Sequence, residues 1–149
     1  MSDIETIKKI RDMTGFSFAE IRKALEESGG DQARTLEILK AHGAEIAAKK
    51  ESRSTGQGII ECYIHSDKKT AAAIKLLCET DFVAKNPLFI NLAHEIAMHV
   101  TAMDPENVKE LLGQAYIKDQ DLTITDLINE YISKLGENIK VEEFYRLKI

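Results

Sequence analysis

The pattern of apolar positions over residues 1–45 predicts three short helices. Apolar residues recur every three or four positions, as they do on the buried face of an amphipathic helix. Glycines at the end of each block are the expected helix stops. The three stripes are Ile4, Ile7 and Ile10; Ile21, Ala24 and Leu25; and Ala33, Leu36 and Leu39, and the stops are Gly15, Gly29-Gly30 and Gly43. These helices would enclose a very small N-terminal core.

Capping residues stand where these helices should begin. Ser2 to Glu5 and Ser17 to Glu20 have capping-box spacing, in which the serine oxygen and the glutamate each accept an orphan backbone N–H. Phe16 and Ile21 flank the second box as a hydrophobic staple would. Asp31 is the expected cap of the third helix.

A polar stretch separates this module from the rest of the chain. Residues 44–55 are rich in Ala, Lys, Glu, Ser and Arg, and Ile46 is their one large apolar residue. This composition predicts a solvated helix or linker. We therefore expect two domains, residues 1–55 and residues 56–149.

Beyond Gly56 the apolar pattern changes to that of β-strands. Residues 58–65 and 70–79 are apolar runs on either side of Ser66 to Lys69, which predicts a hairpin whose arms are at least half buried. The chain then alternates from Ile139 onward and breaks its period at Glu143. Its apolar positions, expected on one side of a third strand, are Ile139, Val141, Tyr145, Leu147 and Ile149.

Three further helices are predicted between the hairpin and the last strand. Asn86-Pro87 is a strong helix start, and the apolar face that follows should lie against the hairpin. Asp104-Pro105 starts a short helix that Gly113 ends, and a helix capped within residues 123–126 ends at Gly136. The predicted fold is α+β: a three-helix module, a helical linker, and a three-stranded antiparallel sheet covered by helices.

Composition and charge favour a soluble protein with a protein partner. The chain is 44% hydrophobic and 30% charged, and its net charge of −5 lacks the basic footprint that nucleic-acid binding requires. No window approaches the roughly 18 to 20 uncharged residues of a membrane span, and the acidic start does not resemble a secretory signal. We expect a cytoplasmic protein in which Cys62 and Cys78 are buried, reduced thiols.

The histidines and cysteines do not form a recognisable metal or catalytic motif. His94 and His99 are five residues apart, which turns them about 140° from each other around a helix. Cys62 and His65 would point to opposite faces of a strand. We therefore expect solvated or core histidines, no bound metal or cofactor, and no enzyme activity.

The segment from Cys78 to Asn86 allows two interpretations. On residue chemistry alone, the favoured interpretation is structural: Asp81 caps a helical turn, while Phe82 and Val83 pack under the hairpin. The other interpretation comes from a family resemblance. Thr80 to Ala84 is similar to the signature of elongation factor Ts.

The resemblance extends over nearly the whole chain and includes a helical module like that of ubiquitin-associated domains. Two departures are the Phe16 to Ala19 stretch, where the family has small residues and methionine, and a shortened segment around Pro105 to Gly113. The second half of the core found in longer relatives is also missing. The further similar segments are Arg11, Thr14-Gly15, Lys23 to Leu25, Gly30-Asp31, Gly43-Ala44, Ala47 to Lys50 and Leu135 to Ile139.

The resemblance implies a guanine-nucleotide exchange factor for elongation factor Tu, able to bind both its GDP-bound and nucleotide-free forms. In this family the signature loop presses into the G domain of elongation factor Tu beside the magnesium ion and the β-phosphate. Carried over, Phe82 would disturb the partner's packing and Asp81 the magnesium surroundings, while Thr80 and Val83 would hold the loop in shape.

The resemblance also implies a second contact and a second copy. The loop between the first two helices would touch the G domain through Arg11, Met13, Thr14 and Gly15, although Met13 could instead complete the three-helix core. Short members of the family resemble one half of a two-part core, which implies a homodimer formed through the free face of the sheet.

A ubiquitin-binding adaptor is the alternative function. Residues 13–16 resemble the loop that ubiquitin-associated domains use as a hydrophobic docking surface. An adaptor would have no need for the Thr80 to Val83 motif on a strand-to-helix turn. The second domain therefore favours the exchange factor.

Overall fold

The computed structural model describes residues 4–149 as helices around a three-stranded antiparallel sheet. In chain order the elements are α1 (Ile4–Thr14), α2 (Phe18–Glu27), α3 (Gln32–Lys50), β1 (Gln57–Ile64), β2 (Thr70–Cys78), α4 (Asp81–Ala84), α5 (Pro87–Met103), α6 (Val108–Gly113), β3 (Ala115–Tyr116), β4 (Asp119–Thr123), α7 (Ile124–Leu135) and β5 (Lys140–Lys148). The sheet has the order β1-β2-β5, and β3 and β4 form a separate hairpin. The predicted α+β class is confirmed.

The caps predicted for the second and third helices are present. Glu20 N donates to Ser17 Oγ at 3.3 Å, and Ser17 N donates to a Glu20 carboxylate oxygen at 2.8 Å, which completes a capping box. Asp31 accepts from Arg34 N at 2.8 Å at the start of α3. The box predicted at Ser2 depends on residues 1–3, which lie outside the described residues.

The prediction that Gly43 ends the third helix is wrong, because α3 continues to Lys50. Gly43 is buried where α3 crosses α7, and an added Cβ would lie 3.3 Å from the Phe16 ring and 3.8 Å from Ser133 Oγ. The glycine permits close packing here. The solvated helix or linker predicted for residues 44–55 is helical as far as Lys50, but it is not wholly solvated, since Ile46 and Ala47 pack against the core.

Helix α3 joins the two hydrophobic cores. The smaller core lies within α1, α2 and the first half of α3, and the larger lies between the sheet and α5 to α7. Ile46 packs against both. Lys40 Nζ adds an ion pair of 3.1 Å to Asp126 on α7. The domain boundary near residue 55 stays a prediction.

A half-buried carboxyl group lies beside this junction. Burial of Glu130 on α7 raises its pKa to about 7. The neighbouring carboxylates Asp119 and Asp126 act in the same direction, while Lys134 and Lys40 oppose them. Glu130 therefore holds a proton in the folded protein at a pH where an exposed carboxyl group would be ionised.

The sheet has one covered face and one open face. On β2, Ala72, Ile74, Leu76 and Cys78 are buried under the helices. On the open side, Ile60, Ile64, Tyr145 and Leu147 are between 62% and 75% exposed. The prediction that both hairpin arms are at least half buried is thus wrong for alternate residues of β1. Cys62 is exposed for the same reason, while Cys78 is buried as predicted.

A β-bulge in β5 moves the last residues of the strand to the open face. Leu76 pairs with Val141 and Lys75 pairs with Glu143, so Glu142 is an extra residue. Side chains beyond it change sides: Val141 is buried, whereas Tyr145 and Leu147 are exposed. The prediction that Tyr145 and Leu147 lie on the same side as Ile139 and Val141 is therefore wrong, and Ile149 is exposed like the two residues before it in the pattern.

The helix predicted from Asp104-Pro105 begins later. Asp104 ends α5 in a left-handed conformation (φ 47°), and Asn107 caps α6 by accepting from Glu110 N at 2.8 Å. Asp104 instead forms an ion pair of 3.4 Å with Arg146 of β5. The β3–β4 hairpin was not predicted, because its strands are too short to give a periodic pattern.

The histidines take structural positions. His99 is fully buried, accepts from Ile117 N at Nδ1 (3.2 Å) and bonds Gln114 through Nε2 (2.9 Å). Burial lowers the pKa of His99, so the ring is neutral and donates from Nε2. His94 packs edge-on against Tyr63, with 5.7 Å between ring centroids.

Residues 4–149 lack two kinds of feature. No group of three or more metal-type side chains there could hold an ion. No helix in the same range is long and apolar enough to cross a membrane.

Candidate functional site

The candidate site is a single helical turn, α4, that directs an aromatic ring into solvent. Phe82 is 89% exposed, the highest value for any aromatic residue among the exposed large hydrophobic residues in the range 4–149. Thr80 is the N-cap, because its Oγ1 accepts from Val83 N at 3.3 Å. The interpretation in which Asp81 caps the turn is therefore corrected, since Asp81 is the first residue inside the helix.

The inner side of the same turn holds it on the core. Ala84 is buried, and Val83 packs against the larger core. Successive residues of a helix are about 100° apart, so one turn can bury Val83 and Ala84 while Phe82 faces outward. The structural interpretation of this segment is correct for Val83 and wrong for Phe82.

Asp81 is exposed beside the ring and carries an ion pair. Its carboxylate lies 2.7 Å from Lys85 Nζ, one helical turn further on. This hydrogen bond raises the pKa of Lys85. Because both groups are solvent-exposed, the pair contributes little to stability, and the carboxylate can exchange Lys85 for another cation at low cost.

The start of the loop is held from below by Glu137, which follows α7. One carboxylate oxygen of Glu137 accepts from Glu79 N at 3.1 Å and from Thr80 N at 3.0 Å. The other accepts from Thr80 Oγ1 at 2.6 Å. The sequence identified Glu137 only as part of a family-like segment and gave it no role. A contact between residues 57 positions apart has no periodic signal.

Cys78 ends β2 directly under the loop. Its thiol is fully buried and donates to Thr80 O at 3.2 Å. Burial raises the pKa of Cys78 to about 11, and the charges of Glu137, Asp81 and Glu79 act in the same direction. The sulfur is therefore a protonated hydrogen-bond donor at neutral pH, which suits a structural residue better than a nucleophile.

The second predicted contact lies in the N-terminal module, between α1 and α2. Arg11 and Met13 are exposed, Met13 by 51%, so Met13 does not complete the small core. Thr14 is buried and donates its hydroxyl to Ile10 O at 2.8 Å. Gly15 has a left-handed backbone (φ 73°), and the side chain of Lys134 lies over it.

The residues of the two predicted partner contacts do not interact with each other. Within residues 4–149, no hydrogen bond or ion pair connects Arg11, Met13, Thr14 or Gly15 with residues 80–83. Thr14 can shape its loop but offers little side-chain surface. Whether either group touches a partner stays a prediction.

An exposed aromatic ring on an anchored turn is a feature typical of protein-binding sites. Comparison with known proteins identifies the family. The model of the family described as Elongation factor TS matches residues 79–149, which include the whole of α4. This match covers 71 of the 149 residues, and a relative of 34% identity that aligns over 99% of its own length shows that the chain belongs to the elongation factor Ts family.

Individual relatives support this assignment. A protein of Thermosipho melanesiensis named Elongation factor Ts is 34% identical over 194 aligned positions, which cover 100% of this chain and 99% of that protein. An Aquifex aeolicus protein of the same name is 40% identical over 96% of this chain and 51% of its own length. One from Clostridium kluyveri is 37% identical over 100% of this chain and 49% of its own length.

The lengths of these relatives differ. The chain spans about half the length of the Clostridium and Aquifex relatives. It spans nearly all of the Thermosipho protein, although that alignment needs 194 positions for the 149 residues of this chain.

Proposed function

We propose that this chain is a guanine-nucleotide exchange factor that binds elongation factor Tu in its GDP-bound form and promotes the release of GDP. The single observation that carries this proposal is the exposure of Phe82 on an anchored turn. A large aromatic side chain left in water contributes nothing to the stability of its own fold. Its favourable burial requires another molecule.

The rigidity of the turn supports the same proposal. Thr80 is held through its backbone N–H and its hydroxyl, and Ala84 is buried on the opposite side. A ring on such a support loses little conformational entropy when it enters a pocket, so more of its burial energy remains for displacing the partner's groups. In our proposal Phe82 enters the G domain near the nucleotide.

Asp81 supplies the polar part of the proposed action. Magnesium requires near-ideal octahedral geometry and bridges the phosphates, so a small displacement of its ligands weakens both the ion and the nucleotide. Asp81 is exposed and adjacent to Phe82, which suits it to disturb the magnesium surroundings when the ring inserts. Thr80 and Val83 would keep the turn in shape.

The energy required is smaller than the affinity for GDP. Nucleotide bound at nanomolar strength represents roughly 12 kcal/mol, but an exchange factor needs only to prefer the nucleotide-free form. By reciprocity, GDP must weaken the binding of the factor as much as the factor weakens the binding of GDP. Rebinding of nucleotide then expels the factor, which acts repeatedly without any catalytic group.

The test is the release of fluorescent GDP from purified elongation factor Tu, with and without this chain. We expect a saturable acceleration, and a matching loss of affinity between chain and partner when GDP and magnesium are added. Release at the spontaneous rate over a wide range of chain concentrations would contradict the proposal.

A ubiquitin-binding adaptor receives less support from the geometry. Phe16, the aromatic residue of the loop that resembles a docking surface, is buried in the small core, and the Lys134 side chain lies beside Gly15. Met13 is the one large apolar side chain of residues 13–16 that is exposed. Recovery of ubiquitin rather than elongation factor Tu in a pull-down would reverse this preference.

We also propose that two copies of the chain associate through the open face of the sheet. The register places Ile64, Ala71 and Leu147 in one row and Cys62, Ala73 and Tyr145 in the next, so the exposed apolar side chains form one continuous patch. Such a patch is costly in water and suits a self-complementary contact. Sedimentation should show a dimer at micromolar concentration that Leu147→Glu dissociates, and a monomer of the unmodified chain would contradict it.

The proposed partner also suggests a location. A factor that acts on elongation factor Tu works where translation takes place, and we propose the cytoplasm as that compartment. No direct contact with nucleic acid or membrane is part of the proposed action.

A further inference from the structure

The turn after α7 meets the end of β2 through hydrogen bonds to Glu137, a residue to which the preceding proposal assigns no role. Glu137 accepts three hydrogen bonds, from Glu79 N, Thr80 N and Thr80 Oγ1, at 3.1, 3.0 and 2.6 Å. In the opposite direction, Glu79 accepts from Asn138 N at 2.8 Å. A carboxylate of each segment therefore accepts hydrogen bonds from the backbone N–H groups of the other.

The Glu137 carboxylate determines how Thr80 can cap α4. The Thr80 hydroxyl has one hydrogen, and the Glu137 carboxylate lies 2.6 Å from its oxygen. Because a carboxylate has no hydrogen to donate, the hydroxyl hydrogen must point toward it. A lone pair of the same oxygen is then free to accept from Val83 N at 3.3 Å. This sequence of bonds connects Glu137 through Thr80 to the turn that carries Phe82.

The turn after α7, which contains Glu137 and Asn138, is also fixed to the residues that follow α3. The side chain of Asn138 is nearly buried and donates to Arg53 O at 3.0 Å and to Glu51 O at 3.4 Å. Arg53 in turn lies 3.6 Å from the carboxylate of Glu79. Glu137 is thus held on a support that does not depend on α4 itself.

We propose that Glu137 is a positioning residue for nucleotide exchange, which acts by fixing the orientation of α4 and thereby of the Phe82 ring. This inference rests on the proposed exchange function. Glu137 would not touch the partner. Its effect would come from lowering the entropy that the loop loses when the ring inserts.

The experiment compares Glu137→Ala and Glu137→Gln with the unmodified chain in the GDP-release assay. The alanine variant leaves two backbone N–H groups and one hydroxyl without their acceptor, and we expect roughly tenfold slower release at limiting factor concentration. Glutamine keeps one oxygen acceptor, so we expect it to restore a large part of the rate. Glu106→Gln, at an exposed glutamate, is the matched control and should leave the rate unchanged.

A double variant separates positioning from a loss of folding. If Glu137 acts through the ring, Phe82→Ala with Glu137→Ala should release GDP no more slowly than Phe82→Ala alone. The amide signals of Glu79 and Thr80 in NMR spectra should shift upfield in Glu137→Ala, because strong acceptors deshield their donors. Should Glu137→Ala fail to fold, Thr80→Val, which removes the hydroxyl that connects Glu137 to the turn, takes its place in the same comparison.

The outcomes distinguish this inference from the function on which it rests. If the unmodified chain does not accelerate release, the exchange function fails. If it accelerates release and Glu137→Ala matches it, the positioning role is overturned and the exchange function stands. Additive losses in the double variant would likewise overturn the role.

Discussion

Replacement of Phe82 by alanine isolates the contribution of the exposed ring. The ring is 89% exposed and forms no part of either core, so its removal should change the free energy of unfolding by less than about 0.5 kcal/mol. An aromatic residue at the centre of an interface contributes about 2 to 4 kcal/mol, and about 1.4 kcal/mol corresponds to a tenfold change in rate. We therefore expect stimulated GDP release to slow at least tenfold.

The assay is stopped-flow release of fluorescent GDP from elongation factor Tu, with thermal unfolding measured in parallel. Met103→Ala is a suitable control, because this side chain is 46% exposed at the other end of α5, about 24 Å along the helix axis from its start. The control should release GDP at the unmodified rate. A normal rate for Phe82→Ala, with a normal melting temperature, would refute the role of the ring.

Three further predictions concern the fold and the open face. Cys62 should react with a thiol reagent in the native chain and become protected as protein concentration rises, whereas Cys78 should react only after unfolding; equal reactivity of the two would contradict this. The pKa of Glu130 is raised from 4.5 to about 7, so its contribution to the free energy of unfolding is lost as pH rises through that interval. Glu130→Gln should therefore raise the melting temperature more at about pH 8 than at about pH 5, and a gain independent of pH would contradict it. Gly43→Val places methyl groups against Phe16 and α7 and should cost about 1 to 3 kcal/mol in urea unfolding, whereas an unchanged midpoint would show that the junction is loose.

Local signals predicted most of the elements. The capping box at Ser17, the Asn86-Pro87 start and the Gly136 stop are each determined by neighbouring residues, and all three are confirmed. Gly43 failed as a helix stop because its role depends on α7, which lies far away in the chain. Sequence rules treat glycine as a helix stop because its backbone is flexible. At Gly43 the packing of α3 against α7 requires the missing side chain instead.

The last strand shows a second limit of periodic patterns. A bulge inserts one residue and exchanges the faces of everything beyond it, so Tyr145 and Leu147 face the open side although their spacing from Val141 is even. The break at Glu143 was visible in the sequence, but its consequence for the faces was not. An apolar open face of the sheet could therefore be predicted, but not which residues of β5 lie on it.

The candidate site was predictable in its residues and not in its support. Residue chemistry alone favoured a buried Phe82, and the family resemblance was needed to expect an exposed one. Glu137 could not be found by spacing, because it reaches Thr80 across 57 positions and several elements. Contacts of this kind require coordinates.

The most direct test of the account places a photo-reactive phenylalanine analogue at position 82. Irradiation with nucleotide-free elongation factor Tu should attach the chain to the G domain, beside the residues that surround magnesium and the β-phosphate. Excess GDP with magnesium should abolish the product. Attachment at a distant surface, or attachment that excess GDP leaves unchanged, would contradict the insertion of this ring into the nucleotide site.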